Sequence, residues 1–313
     1  MMKVLLAVEQ TRISVGAIRI LTRLSLPVGS NLFLLHVHPV PQKIMGLAKE
    51  RILKISQQVQ EVQGEVHERA RRFLGKVQNT LRRQDVVFHS LVKHGFPGEE
   101  ILKTIRTKGI DLVVLGTRSY SKAAGFFLGS VSQWVLQEAP CSVLIARNTP
   151  HRSLNDGGMK ILLATDGSSD SRAAVDFVKE MGLPDSSHMM ILHVIKKHMY
   201  ETERALTTGR ENEKEFAKLA EEVLEIQEQQ GMKLLEQTSA VLSSPDLTTQ
   251  KRLVYGNPAT EILKTARMMK ADLIVMGSQG STGVKRMILG SVSNKVVRSA
   301  GSSVAVIRSK RKK

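Results

Sequence analysis

Residues 255–277 read YGNPATEILKTARMMKADLIVMG, and residues 94–116 read HGFPGEEILKTIRTKGIDLVVLG. In each stretch a glycine and a proline precede a helical pattern, and a run of leucine and β-branched residues follows it. Proline suits the first turn of a helix, because its missing N–H would have no intrahelical partner there. The two stretches therefore predict the same helix and buried strand twice in one chain.

The similarity extends over most of the chain. The opening MKVLLAVEQT at 2–11 recurs as MKILLATDGS at 159–168, and LGSVSQWVLQEAPCSVLIAR at 128–147 recurs as LGSVSNKVVRSAGSSVAVIR at 289–308. A repeat of about 160 residues is too long for one unit of a solenoid. It has the size of a whole domain, so this chain of 313 residues is predicted to hold two domains of one fold.

Within each copy, short apolar strands alternate with helical segments. Parallel strands need crossover connections, which helices usually supply, so the alternation favours an α/β fold with a parallel sheet. We expect two doubly wound domains, at 1–148 and 159–309, each with a five-stranded sheet flanked by helices. In the second copy the predicted strands are Lys160–Thr165, Met189–Val194, Lys251–Tyr255, Asp272–Gly277 and Ser303–Arg308.

The composition is that of a globular protein with excess positive charge. Apolar residues make up 42% of the chain, and the formal net charge is +17. Such a charge favours anionic partners, whether nucleotide, nucleic acid or membrane surface, without choosing among them. The single cysteine, Cys141, excludes an internal disulfide and a CxxC metal site. Since no apolar stretch has the length of a signal-peptide core or a membrane span, we expect a cytoplasmic protein.

A glycine-rich segment, GSQGSTGVKRMILGSVS at 277–293, follows the fourth predicted strand of the second copy. Glycines let the backbone turn at positive φ and bring N–H groups close to a ligand. Ser291 and Ser293 stand where the next helix begins, and the N–H groups and dipole of a helix N-terminus attract phosphate. Lys285 and Arg286 inside the segment could contact phosphates as well. The segment predicts a phosphate-binding loop, with a serine-capped glycine turn as the alternative.

The first strand of the second copy also ends in a polar turn, where residues 164–168 read ATDGS. The carboxylate of Asp166 could accept hydrogen bonds from a ribose or a base. In an open parallel sheet, ligands bind beyond the carboxyl ends of the strands, where the strand order reverses. Asp166 and Gly277 both lie at such ends. Spacing alone leaves open whether their strands are neighbours.

Together these motifs resemble the universal stress protein family. They are the frame G-x2-G-x9-G-S, an opening strand that ends in Asp-Gly-Ser, an L-H-V second strand and a G-x-P before the third helix. The resemblance covers nearly the whole chain, twice. It implies a strand order of 3-2-1-4-5, which makes the first and fourth strands neighbours. It also implies an adenine nucleotide as ligand, with ATP as the cofactor, AMP or ADP as alternatives and Mg²⁺ left open.

The resemblance further implies which residues hold the nucleotide. ATP-binding members place adenine near the opening-strand Asp and the second-strand valine, with the phosphates on the glycine loop. Carried over residue by residue, the matching positions are Ala164, Asp166, Val194, Met276, Gly277, Gly280, Gly290, Ser291, Val292 and Ser293.

The first copy departs from this pattern. Its loop, GTRSYSKAAGFFLGSVS, has Ser119 in place of the middle glycine, and Glu9 stands at the position of Asp166. A side chain in the loop brings a Cβ towards the phosphates, and a longer carboxylate crowds the base. Lys122 and Arg118 could offset these losses electrostatically. We therefore expect nucleotide mainly in the second domain, while the first binds it weakly, binds something else or is a structural half.

Other chemistry has weaker support in the sequence. His36 and His38 lie two apart on a strand and face the same way, but no third metal ligand stands at a supporting spacing. We therefore predict no metal site. We also predict no catalytic residues, because the sequence has no G-x4-G-K-[ST] loop, G-x-S-x-G elbow or HExxH motif. Nucleic-acid binding rests on charge alone, so neither nucleic acid nor membrane is a predicted partner.

These features predict a cytoplasmic, ATP-binding stress-response or regulatory protein whose bound nucleotide alters a surface for a protein partner. Two alternatives stay open, namely an interaction module that binds no nucleotide and a slow ATPase or phosphotransfer enzyme. Single-domain members of the family pair through their last strand. The resemblance therefore implies an internal pseudo-dimer through 141–147 and 302–308, and it leaves further assembly into a homo-oligomer open.

Overall fold

The computed structural model describes residues 1–9, 13–39, 56–81, 85–117, 128–148, 157–196, 213–280 and 289–309, without side chains at 13, 56–63 and 213–217. By its internal contacts the chain divides into two compact units, Met1–Pro150 and His151–Lys313, called here the first and second units. Among the helices that the structure describes, none combines the length and the apolar character that a membrane span requires.

The first unit alternates strands and helices. In chain order its described elements are β1 (Lys3–Ala7), α1 (Ile13–Arg23), β2 (Ser30–Pro39), α2 (Ser56–Thr80), β3 (Val86–Gly95), α3 (Pro97–Lys108), β4 (Leu112–Gly116), α4 (Ser130–Glu138) and β5 (Ser142–Ala146). The strands pair in parallel in the order β3-β2-β1-β4-β5.

The second unit repeats this plan. Its described elements are β6 (Lys160–Ala164), α5 (Ser169–Glu180), β7 (Ser187–Ile195), α6 (Glu213–Val241), β8 (Leu247–Tyr255), α7 (Pro258–Met268), β9 (Leu273–Gly277), α8 (Ser291–Ser299) and β10 (Ser303–Ile307). The order is β8-β7-β6-β9-β10, again with parallel pairs. The predicted α/β fold with parallel sheets and flanking helices is confirmed.

The helices α3 and α7 begin where the repeated stretches predicted. Their first residues are Pro97 and Pro258, and the glycines two positions earlier, Gly95 and Gly256, take φ values of 143° and 141°. L-residues rarely adopt such angles, so glycine is needed where the chain leaves the strand and turns into the helix.

The core lies along the central strands, which are buried on both faces as parallel strands between helices should be. All five residues of β10 are buried, and so are the first four of β9. By contrast, β8 lies at the edge of its sheet, and each of its residues is partly or fully exposed. This edge position explains why the sequence prediction of β8 began four residues late, at Lys251. The preceding LTTQ is too polar to be recognised as a strand from an apolar run.

Candidate functional site

The strand order reverses at β6 in the second unit. Ala164, the last residue of this strand, pairs with Leu192 of β7 on one side and with Met276 of β9 on the other. The first and fourth strands are therefore neighbours, which spacing had left open. Asp166 and Gly277 consequently leave adjoining strands at the same edge of the sheet, where parallel α/β proteins bind their ligands.

Asp166 lies in the turn that leads from β6 into α5. Its Oδ1 accepts a hydrogen bond from the backbone N–H of Ser168 at 3.0 Å, a contact that Asp side chains often make two residues ahead. Gly167 between them takes a φ of 75°. Ser168 is the N-cap of α5, and its side chain accepts a hydrogen bond from the N–H of Ser171 at 3.2 Å. The turn fixes the orientation of an exposed carboxylate at the sheet edge.

The glycines of the loop after β9 are needed for space. Gly277, Gly280 and Gly290 all lie outside the left-handed region of φ, so the expectation that they serve a turn at positive φ is wrong. A side chain at each position would instead meet neighbouring atoms. A Cβ at Gly290 would lie 3.0 Å from the carbonyl oxygen of Ser278, which accepts a hydrogen bond from the Gly290 N–H at 2.8 Å.

Gly280 packs directly against the carboxylate of Asp166. A Cβ at residue 280 would lie 2.7 Å from Asp166 Oδ2, which is closer than real Cβ contacts. The missing side chain therefore lets the loop after β9 approach the turn after β6. Of the residues carried over from the family pattern, these two are brought together although they stand far apart in the sequence.

The N-terminus of α8 follows the loop. Gly290 is its N-cap residue, and the first intrahelical hydrogen bond runs from the N–H of Asn294 to the carbonyl of Gly290 at 2.9 Å. The N–H groups of Ser291, Val292 and Ser293 precede that bond and point out of the helix end. Since Ser291 is exposed and Val292 half-buried, this end is accessible to an anion, which the helix dipole attracts.

The hydroxyl of Ser293 bonds to the protein itself. It is buried and donates to the carbonyl oxygen of Gly277 at 2.8 Å. Ser132 makes the same contact with Gly116 in the first unit, at 3.1 Å. Because both units form this hydrogen bond, its role is structural. What Ser293 can offer a ligand is its backbone N–H.

Apolar side chains line the same sheet edge. Ala164 and Met276 pair across β6 and β9 and are buried. Val194 is half-buried near the end of β7. His193, which precedes it, has Nδ1 at 2.8 Å from the carbonyl oxygen of Thr165. This contact holds the backbone directly after β6. The loop cations predicted to contact phosphate, Lys285 and Arg286, lie outside the described residues, as do Arg118, Ser119 and Lys122 of the first unit.

The family model for the universal stress protein family matches the chain at residues 1–147 and again at 159–308. The chain belongs to the universal stress protein family. It is 31% identical to a universal stress protein of Bacillus subtilis over 149 residues, which are 48% of this chain and 98% of that protein. With a universal stress protein of Mycolicibacterium smegmatis it shares 28% identity over 218 residues, 67% of this chain and 66% of the relative.

A solved universal stress protein from Archaeoglobus fulgidus has the same fold. The two structures align with a TM-score of 0.59 at 21% identity, covering 99% of this chain and 97% of that one. The family assignment and the fold class predicted from the motifs are thus confirmed.

The first universal stress protein unit differs from the second at its opening turn. Glu9 is exposed, and its backbone is held by Ser14, whose hydroxyl accepts from the Glu9 N–H at 2.8 Å and donates to the Glu9 carbonyl at 2.9 Å. In the second unit a contact at the carboxylate is seen, because Asp166 Oδ1 accepts from the Ser168 N–H.

The first unit also carries a histidine cluster that the sequence did not reveal. The rings of His38 and His94, which are register partners on β2 and β3, have centroids 5.7 Å apart, and His67 of α2 stacks on His94 at 6.5 Å. His36 is engaged elsewhere, with Nδ1 at 2.9 Å from the carbonyl oxygen of Val8. Within the described part of the chain, no group of three His, Cys, Asp or Glu side chains is arranged to hold a metal ion.

Burial lowers the pKa of His94, and the charges of His38, His67 and His36 lower it further. The corresponding positions in the second unit, 161 residues later in the sequence, are Tyr255 for His94 and Glu228 for His67. There the tyrosine hydroxyl donates to the Glu228 carboxylate, and this hydrogen bond raises the pKa of Tyr255 to about 12. The two units thus present different chemistry at the same place beside the sheet edge.

Proposed function

We propose that the second unit binds an adenine nucleotide, with ATP as its preferred ligand, at the carboxyl edge of β6 and β9. The observation that carries this proposal is the contact between Asp166 and Gly280. It joins a carboxylate suited to a nucleoside with a loop suited to phosphates at the point where the strand order reverses.

The nucleoside would lie at the Asp166 end of the site. The carboxylate accepts hydrogen bonds from ribose hydroxyls or from the base, and it is held in place by the N–H of Ser168. The half-buried side chain of Val194, beside the buried Ala164 and Met276, supplies apolar surface for a purine ring.

The phosphates would lie on the glycine loop and the N-terminus of α8. The N–H groups of Ser291, Val292 and Ser293 donate to phosphate oxygens, and the positive end of the helix dipole favours the negative charge. Gly277, Gly280 and Gly290 let the loop pack closely enough to present its backbone. Mg²⁺ would enter the site already bound to the nucleotide.

The role that fits such a site is regulatory. A nucleotide bound across β6, β9 and α8 would change the surface that this sheet edge presents to a protein partner. A stress-response role agrees with the family to which the chain belongs. The function does not require hydrolysis.

The first test is to identify the small molecule that leaves the native protein on denaturation, by mass spectrometry. We expect an adenine nucleotide. The stripped protein should then bind ATP in calorimetry, with ADP, AMP and GTP as comparisons and with Mg²⁺ present or absent. Absence of both released nucleotide and binding heat would favour an interaction module without nucleotide. Steady turnover of ATP above background would favour the enzyme alternative.

A further inference from the structure

Asp170 is a buried carboxylate in the first turn of α5, only 8% exposed. An acidic residue at this helical position usually faces solvent and interacts with the helix dipole. Burial of a charge is costly unless the group is fully hydrogen-bonded, so the surroundings of Asp170 must supply donors.

Two segments of the second unit supply these donors. Asp170 Oδ2 accepts from the hydroxyl of Ser278 and from the backbone N–H of Gln279, the latter at 3.1 Å. Oδ1 accepts from the N–H and the hydroxyl of Ser309, which follows β10, at 3.0 and 2.7 Å. Burial raises the pKa of the Asp170 carboxyl, but these hydrogen bonds outweigh it and hold the pKa below its ordinary value.

The segment that Asp170 holds is the start of the glycine loop. Ser278 and Gln279 stand directly between Gly277 and Gly280. The carbonyl of Gln279 is held as well, because it accepts from the hydroxyl of Ser168 at 3.1 Å. Both backbone polar groups of Gln279 are therefore bound to the turn that opens α5.

Gly277 makes this approach sterically feasible. A Cβ there would lie 2.8 Å from both the carbonyl carbon of Asp170 and the backbone nitrogen of Ser171. Backbone atoms cannot move aside as the end of a side chain can. The glycine and the buried carboxylate thus act together to set the path of the chain as it leaves β9.

The network is present only in the unit whose loop keeps the family pattern. The repeat aligns Asp170 with Ile13, Ser278 with Thr117 and Ser309 with Asn148. In the first unit Thr117 Oγ1 donates to the carbonyl of Ala146 at 3.3 Å, and Asn148 Oδ1 accepts from Arg19 at 3.2 Å. Since the first unit forms the same sheet without this carboxylate, the fold does not require it.

We propose that Asp170 is a positioning residue, whose carboxylate holds Ser278 and Gln279 in the position they need for phosphate binding before the nucleotide arrives. The inference rests on the proposed function of the second unit. Asp170 itself does not touch the nucleotide. Its effect is to lower the entropic cost of fixing Ser278 and Gln279 when the nucleotide binds.

The test compares Asp170→Asn with the wild-type protein. Asparagine has the same shape but presents one acceptor oxygen in place of two and carries no charge. We expect ATP affinity to fall about tenfold and adenosine affinity to change by about twofold or less, because adenosine relies on the β6 turn. Ser309→Ala is the matched control. It removes one hydrogen bond to Oδ1 but leaves the loop contacts, so it should retain wild-type ATP affinity.

A nucleotide-free measurement separates this inference from the proposed function. Hydrogen exchange of the Gln279 amide should accelerate in Asp170→Asn relative to the wild type, while the amides of β9 keep their protection. Unchanged exchange at Gln279 would overturn the positioning role whether or not nucleotide binds. Equal losses for ATP and adenosine would also overturn it, since they would indicate general damage to the unit. A wild-type protein that binds no nucleotide would instead remove the proposed function and the inference that rests on it.

Discussion

The carboxylate of Asp166 and the backbone of Gly280 are in such close contact that a Cβ on residue 280 would lie 2.7 Å from Asp166 Oδ2. The sequence assigned these residues to opposite ends of a nucleotide, Asp166 to the nucleoside and Gly280 to the phosphates. Their contact means that a change at either residue affects both ends of the site.

Gly280→Ser, which copies Ser119 of the first unit, should therefore displace the Asp166 carboxylate. We expect ATP and AMP to lose affinity together, by about ten- to a hundredfold, or about 1–3 kcal/mol. Calorimetric titration of the stripped protein with both nucleotides measures this. Gly129→Ser is a control, because a Cβ at Gly129 meets no described atom within 4 Å and serine is a favourable N-cap residue. Loss of ATP binding with unchanged AMP binding would contradict the predicted role of the contact.

Asp166→Ala should weaken every adenine nucleotide, because the carboxylate serves the nucleoside. A loss of about 1–3 kcal/mol is expected in the same titrations. Asp166→Asn keeps an oxygen that can accept from the Ser168 N–H. Comparing it with Asp166→Ala therefore distinguishes the effect of the lost charge from the effect of the lost hydrogen bond in the turn. Glu9→Ala changes the corresponding residue of the first unit and should leave the affinity at wild-type level. If Asp166→Ala binds ATP as tightly as the wild type, the nucleotide does not lie at this edge.

The acid stability of the second unit should depend on Asp170. Its folded-state pKa is lowered, so its stabilising contribution is present above the unfolded value, about 3.9, and is lost as the pH falls through the folded value. Urea unfolding of the wild type and Asp170→Asn should therefore differ most near neutral pH and converge at low pH. A difference that stays constant from pH 7 to the acid limit would show that the carboxylate charge is not the cause.

The histidine cluster should make the first unit sensitive to mild acid. Because the pKa of His94 in the folded state lies below 6.5, the unfolded chain takes up the proton first, and stability falls as the pH drops below that value. Thermal unfolding between pH 5 and 8 should show this. His67→Gln removes one repelling charge, so it should raise the pKa of His94 in an NMR titration and flatten the pH dependence.

A control for the cluster comes from the second unit. His188 is exposed, lies in β7 and is outside the cluster, so His188→Gln should leave the pKa of His94 as it is in the wild type. An NMR titration in which His94 protonates at its ordinary pKa would contradict the predicted repulsion among these rings.

The fold was predictable because the two patterns that indicate it, the alternation of strands with helices and the residues at helix starts, can each be read from short stretches of sequence. Apolar strand runs alternate with helical segments, and the repeated stretches mark their helix starts at Pro97 and Pro258. The first residues of β8 were missed because they lie at a sheet edge, where polar side chains are tolerated and the apolar pattern is weak.

The internal structure of the candidate site was less accessible to sequence reasoning. The contact between Asp166 and Gly280 spans more than a hundred residues, and no local pattern encodes it. In the sequence Asp170 is indistinguishable from an ordinary acidic residue at a helix N-terminus. Its four hydrogen bonds depend on how the ends of β9 and β10 meet the first turn of α5, which only the folded unit shows.

Ser132 and Ser293 make the same bond to the end of the preceding strand in the two units, although only one of the two loops keeps the middle glycine of the frame. The attachment of this helix is therefore independent of the ligand chemistry in front of it. After a duplication, one copy could accumulate substitutions in its loop without loss of the helix or the sheet. The serine thus gives a tandem protein of this kind the evolutionary freedom to turn one half to a new task while the other keeps the old one.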